Sequence, residues 1–152
     1  MLSVIIPAFN EEILIDKAYK KISDVLSEAA IENELIFIDD GSTDSTYNNI
    51  FHLAETQPFV KGLHFSRNFG KEAAISAGLA AANGDCAVVI DCDMQHPPEK
   101  IVEMYRLWQQ GYEIVEGIKK DRGKESKTYA FAAKMFYSVL SRLAGFDMSE
   151  AS

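Results

Sequence analysis

The chain has 152 residues, 47% of them hydrophobic and 25% charged, which is enough apolar material for one globular domain with its own core. A formal net charge of −8 and a pI near 4.8 argue against a general nucleic-acid binder, which needs a basic face. No apolar run approaches the roughly 20 residues of a membrane-spanning helix, and MLSVIIPAFNEE has no basic region ahead of an apolar one, so no secretory leader is expected.

In chain order, Leu2 to Pro7 is a short β-branched apolar run that reads as a strand. A helix is expected from about Glu11, because Leu14, Ile15, Ala18, Tyr19, Ile22, Val25 and Leu26 form a one-sided stripe. Glu34 to Asp39 is the second strand, and DGSTDST the turn after it. Ser42, Thr43 or Asp44 is expected to cap a helix running toward Glu55. Val60 to Ser66 reads as a third strand, and Lys71 to Gly84 as a small-residue helix closed by its glycine. Ala87 to Ile90 reads as a fourth, buried strand. Pro97 and Pro98 then open a helix through Trp108. Tyr112 to Gly117 is the expected fifth strand. A basic loop over about 118–126 and a long helix over about 127–145 complete a single domain spanning 1–152.

Strands alternating with helices predict an α/β fold with a mainly parallel sheet, in which ligands bind beyond the carboxyl ends of the strands. Polar residues gather there: Asn10 and Glu11 after strand one, Asp39 and Asp40 after two, Arg67 and Asn68 after three, Asp91 and Asp93 after four. On an extended backbone, Asp91 and Asp93 point to one side and Cys92 to the other. Two like charges held so close need a cation between them, and a divalent metal meets that need. The bland reading is that Asp93 caps the following helix and Asp91 is solvated. Cys86 and Cys92 stand about 20 Å apart at roughly 3.3 Å per residue, too far to bridge, and read as ordinary buried thiols of a reducing compartment. No G-x-G-x-x-G, P-loop or G-x-S-x-G motif is present, so a bound diphosphate would rely on a metal and Arg67. Carboxylate ligands suit Mg²⁺ or Mn²⁺.

SVIIPAFNEE, IDDGSTDST, HFSRNFGKEAAISAGL and DCDMQHPPE, in this order, resemble the inverting glycosyltransferases of the GT-A fold, family 2. The likeness runs toward the branch holding dolichyl-phosphate mannose synthase and the bacterial polyprenyl-phosphate glucosyltransferases. It implies that Asp91, Asp93 and Gln95 hold the metal. Pro7, Phe9, Asn10, Glu12, Asp39, Asp40, Arg67, Asp91 and Cys92 are the implied donor-binding set, with either Asp39 or Asp40 reading the base. Asp91, Asp93 and Arg122 are the implied catalytic residues, and Lys119 and Arg122 the contacts to an acceptor phosphate. His96 stands where many relatives have aspartate and reads as a solvated imidazole.

The implied reaction is metal-dependent, inverting transfer of a hexose from a UDP- or GDP-sugar to a polyprenyl phosphate, at the cytoplasmic face of a membrane or in the cytoplasm. The apolar terminal helix would pack on the sheet, lie on the membrane surface or join two copies. The chain stops at FDMSEAS, where relatives continue, which implies a truncated catalytic domain. Three alternatives stand beside this reading: transfer to a saccharide or protein hydroxyl, phosphoryl transfer through an aspartyl nucleophile, and nucleotide binding without turnover. Met94-Gln95 after the acidic pair speaks against the phosphatase pattern, where threonine or valine usually follows.

Overall fold

The computed structural model describes residues 1–117. The basic loop and terminal helix, with Lys119 and Arg122, lie outside the described residues. Four strands, β1 (Leu2–Ala8), β2 (Asn33–Asp39), β3 (Val60–His64) and β4 (Cys86–Val89), alternate with helices α1 (Ile15–Glu28), α2 (Thr46–Thr56), α3 (Lys71–Ala81) and α4 (Glu99–Gln109).

All pairings are parallel and the strand order is β3-β2-β1-β4. Side-chain alternation divides the core into two layers. On one face Val4, Ile6, Leu35 and Phe37 pack with Ile15, Ile22 and Leu26 of α1, Ile50 of α2 and Ile101 of α4. On the other, Ile5, Ile36 and Ile38 pack with Ala74 of α3. The first two crossovers therefore lie on one face, and the third, through α3, on the opposite one. The chain moves outward from β1 to β3 and then returns to β1's free side as β4. A crevice opens where that direction reverses, between the carboxyl ends of β1 and β4.

Gly78 lets α3 sit directly on the sheet: a Cβ there would stand 2.5 Å from Ile5 Cγ2 and 2.8 Å from Ile38 Cδ1.

Several expectations are corrected. Tyr112 to Glu116 forms no strand, and Ile114 is 84% exposed. β4 is an edge strand among the described residues; α3 covers β1 and β2 but leaves Val89 of β4 40% exposed. α1 begins at Ile15 instead of Glu11, because the intervening residues form a turn with Leu14 N donating to Glu11 O. α3 ends at Ala81, and Gly84 instead abuts the backbone of Met1 and Ser3. The residue flanking α2 is Ser45, which makes no side-chain cap; Asp44 Oδ1 accepts the Thr46 N–H of the first turn.

Candidate functional site

A cavity of about 340 Å³ occupies the crevice. Its walls are Pro7, Ala8 and Phe9 at the end of β1, Asp40 after β2, Asn68, Gly70, Lys71 and Ala74 around the start of α3, and Asp91 to Asp93 after β4, with Glu11 at the rim.

Strand parity separates the two aspartates that follow Ile38. Asp40 falls on the α3 side and enters the cavity wall. Its Oδ1 accepts the Phe69 N–H at 2.7 Å and its Oδ2 the Gly70 N–H at 2.9 Å, so one buried carboxylate fixes the loop that launches α3. Gly41 (φ 69°) lies against the backbone of Arg67 and Asn68, where any side chain would collide. Asp39 falls on the opposite side and is fully buried. Its Oδ2 lies 2.6 Å from His64 Nδ1 and its Oδ1 accepts the Ser42 N–H at 3.1 Å. The Tyr47 and His64 rings pack at 4.3 Å between centroids. Asp39 does not line the cavity.

The segment Asp91-Cys92-Asp93 is a turn, not an extension of β4, which corrects the alternation argument. Met94 N donates to Asp91 O at 3.3 Å, Met94 takes φ 58°, and the Asp93 carboxylate accepts the Gln95 N–H at 3.0 Å. Both carboxylates still line the cavity. The cation beside Asp91 is Lys71, whose Nζ stands 2.5 Å from Asp91 Oδ1. Burial, then the charges of Asp93 and Asp44, push the Glu11 carboxyl above its ordinary range. Cys92 is 3% exposed, and burial, reinforced by Glu11, Asp93 and Asp91, pushes its thiol up to about 12. It is a neutral packing group.

Asn10 and Glu12 point away from the cavity and lace two loops together. Asn10 Oδ1 accepts the Thr43 N–H at 2.9 Å, and Glu12 Oε2 accepts the Ser45 N–H at 2.9 Å. Arg67 is exposed, its guanidinium 4.7 Å from the centre of the Phe69 ring, and is not part of the cavity wall. Gln95 and His96 are exposed. Sequence reasoning gave no role to Lys71, and assigned to Glu12 the place that Glu11 occupies. One signal pointed to Lys71: a lysine in the first turn opposes the helix dipole, so it needs a carboxylate partner.

Among the described residues no three His, Cys, Asp or Glu side chains form a preformed metal centre. The donor set nevertheless fits Mg²⁺ or Mn²⁺, which bind through one or two carboxylates and complete their shell with water and substrate phosphates. Asp91 and Asp93 supply such a pair in the cavity wall.

The glycosyl transferase family 2 model matches residues 3–149. The chain belongs to that family. It is 38% identical over 146 residues to an uncharacterized glycosyltransferase, YkcC, of Bacillus subtilis (strain 168), covering 96% of this chain and 45% of the relative. It is also 38% identical over 143 residues to the bactoprenol glucosyl transferase of Shigella phage SfV, covering 94% and 47%. The chain thus spans about half the length of the curated family 2 relatives it matches. Among solved structures it resembles the mannosyltransferase PcManGT from Pyrobaculum calidifontis, in complex with GDP-Man and Mn²⁺, with a TM-score of 0.53 and 29% identity over 60% of this chain and 27% of that one. The S. aureus TarS 1-349 structure superposes with a TM-score of 0.57 over 82% of this chain and 40% of that one, at 19% identity, and so shares the GT-A fold.

Proposed function

We propose that this chain is the donor- and metal-binding part of a family 2 transferase that moves a hexose from a nucleoside-diphosphate sugar to a polyprenyl phosphate. The observation that carries the reading is the cavity at the β1–β4 reversal, which sets Asp91 and Asp93 against the start of α3. The sugar class and acceptor are supported by the bactoprenol glucosyl transferase relatives, and the nucleotide and metal by the GDP-Man and Mn²⁺ complex of the mannosyltransferase.

Asp91 and Asp93 hold the divalent cation, with Gln95 adjoining. When bound, it offsets the charge that builds on the departing nucleoside diphosphate. Pro7 and Phe9 wall the nucleotide, and Asp40 acts through the backbone, by fixing the loop that carries Asn68 and starts α3. A phosphate acceptor is already ionised at neutral pH, so it attacks the anomeric carbon without a strong general base and inverts its configuration. Orientation and electrostatics then supply most of the rate. Lys119 and Arg122 of the basic segment are assigned to the acceptor phosphate. Such an acceptor puts the reaction at the cytoplasmic face of a membrane; no helix among the described residues is long and apolar enough to cross one.

The test is transfer of labelled hexose from UDP-glucose and GDP-mannose to a polyprenyl phosphate in detergent micelles. The anomeric configuration of the lipid product is read by NMR. An inverted lipid-phosphate hexose from one donor is expected. Labelled hexose appearing only on a saccharide or protein hydroxyl would overturn the acceptor assignment.

A further inference from the structure

Among the described residues Lys71 is the only cationic side chain in the cavity wall, which also holds four carboxylates: Glu11, Asp40, Asp91 and Asp93. Its ammonium holds Asp91 at 2.5 Å, while its side chain is 53% exposed and so unencumbered by packing. It also stands at the first position of α3, whose N-terminus has no side-chain cap. The first N–H groups of that helix and its positive dipole end are thus directed at the same cavity. A metal held by Asp91 and Asp93 would compete with Lys71 for the charge of the Asp91 carboxylate and would repel the ammonium. The four-carbon stem then lets that ammonium turn to another anion within reach.

We propose that Lys71 is an exchange cation. It neutralises Asp91 in the unloaded site, yields that carboxylate to the divalent metal, and passes to the diphosphate of the donor. This inference rests on the donor-site reading above and adds a consequence to it. Lys71 competes with the metal when nucleotide is absent and assists nucleotide once the metal is present. Metal and nucleotide therefore bind with positive coupling, and the coupling acts reciprocally on both ligands. Lys71 is a donor-contacting residue only in the loaded state.

The test follows free Mn²⁺ by electron paramagnetic resonance in the full chain, alone and with UDP or GDP, in the parent, Lys71→Met and Lys71→Arg proteins. Removing an exposed competing ion pair should tighten Mn²⁺ alone by about two- to fivefold in Lys71→Met. Losing a charge-assisted phosphate contact should weaken nucleotide in the presence of Mn²⁺ by roughly tenfold or more. Lys71→Arg, which keeps the cation, should move both values back toward the parent. Mn²⁺ binding alone that is unchanged or weaker in Lys71→Met would overturn the exchange, as would unchanged metal–nucleotide coupling. A parent protein that binds nucleotide with Mn²⁺ while Lys71→Met behaves identically refutes Lys71's role alone. A folded parent that binds no nucleotide refutes the donor-site reading, and the exchange with it.

Discussion

Asp39 and Asp40 are neighbours in sequence, but the pleat turns them to opposite layers, one toward His64 and the other toward α3. The parity that separates them depends on which face α3 covers, and no local motif encodes that. Asp40 accepts two backbone N–H bonds while 4% exposed. Replacing it by alanine strands both donors, so Asp40→Ala should lower stability by about 2–3 kcal/mol in urea unfolding and weaken nucleotide binding as the 65–70 loop loosens. Cys92 offers a second test at this scale. Burial holds its thiol protonated, pushed up to about 12, and burial also raises the Cys86 thiol. Iodoacetamide at pH 8 should leave Cys92 unmodified in the folded chain and alkylate it after denaturation, as read by mass spectrometry. Rapid alkylation of the native protein would contradict this burial.

The elements most legible in the sequence are those that bury themselves on both faces. β1 and β2 are continuous apolar runs because helices cover each side of the sheet, and Leu35, Ile36, Phe37 and Ile38 are all fully buried. The Tyr112 to Glu116 segment has the composition of a strand, yet among the described residues it pairs with no strand, and Ile114 is exposed. Composition reports the propensity, while a strand also needs a neighbour. α1 starts later than its apolar stripe predicts because Glu11 and Glu12 give their N–H groups to Thr46 Oγ1 and Asp44 Oδ2 across the loop pair, at 2.8 and 3.2 Å.

Packing between elements yields two further predictions. Gly78→Val would drive a branched side chain into Ile5 and Ile38 and should cost about 1–3 kcal/mol, measured by thermal or urea unfolding. Glu34 joins three strands and the end of α3. It pairs with Lys61 at 2.6 Å, accepts from Ser3 Oγ at 2.6 Å and accepts the Asn83 N–H at 2.5 Å. Burial alone would raise its carboxyl, but these partners outweigh burial and hold it at about 2, below its ordinary 4.5. Because the folded value is the lower one, the stabilisation is present above pH 4.5 and is lost as pH falls through 2. At about 1.4 kcal/mol per pKa unit it amounts to roughly 3 kcal/mol. Glu34→Gln should therefore be clearly less stable than the parent at pH 7, with the gap narrowing toward pH 2 in denaturant titrations. A constant gap would contradict the linkage.

For the whole molecule, the reversal of strand order explains why residues distant in sequence meet in one cavity: Pro7 to Glu11, Asp40, Asn68 to Ala74, and Asp91 to Asp93. The ordered motifs made this convergence legible. They did not reveal Lys71, because its role follows from the distance between α3 and the turn after β4. A protein of formal net charge −8 repels a nucleoside diphosphate at long range. On the proposed reading, binding at this cavity therefore draws on Lys71 and the divalent metal. The most direct measurement is therefore a calorimetric titration of UDP and GDP, with and without Mn²⁺, into the chain and its Asp93→Ala variant. The account predicts Mn²⁺-dependent binding of one nucleotide by the parent and its loss in Asp93→Ala. Binding that is equally tight without metal or in the variant, or no binding of either nucleotide by the folded chain, would contradict it.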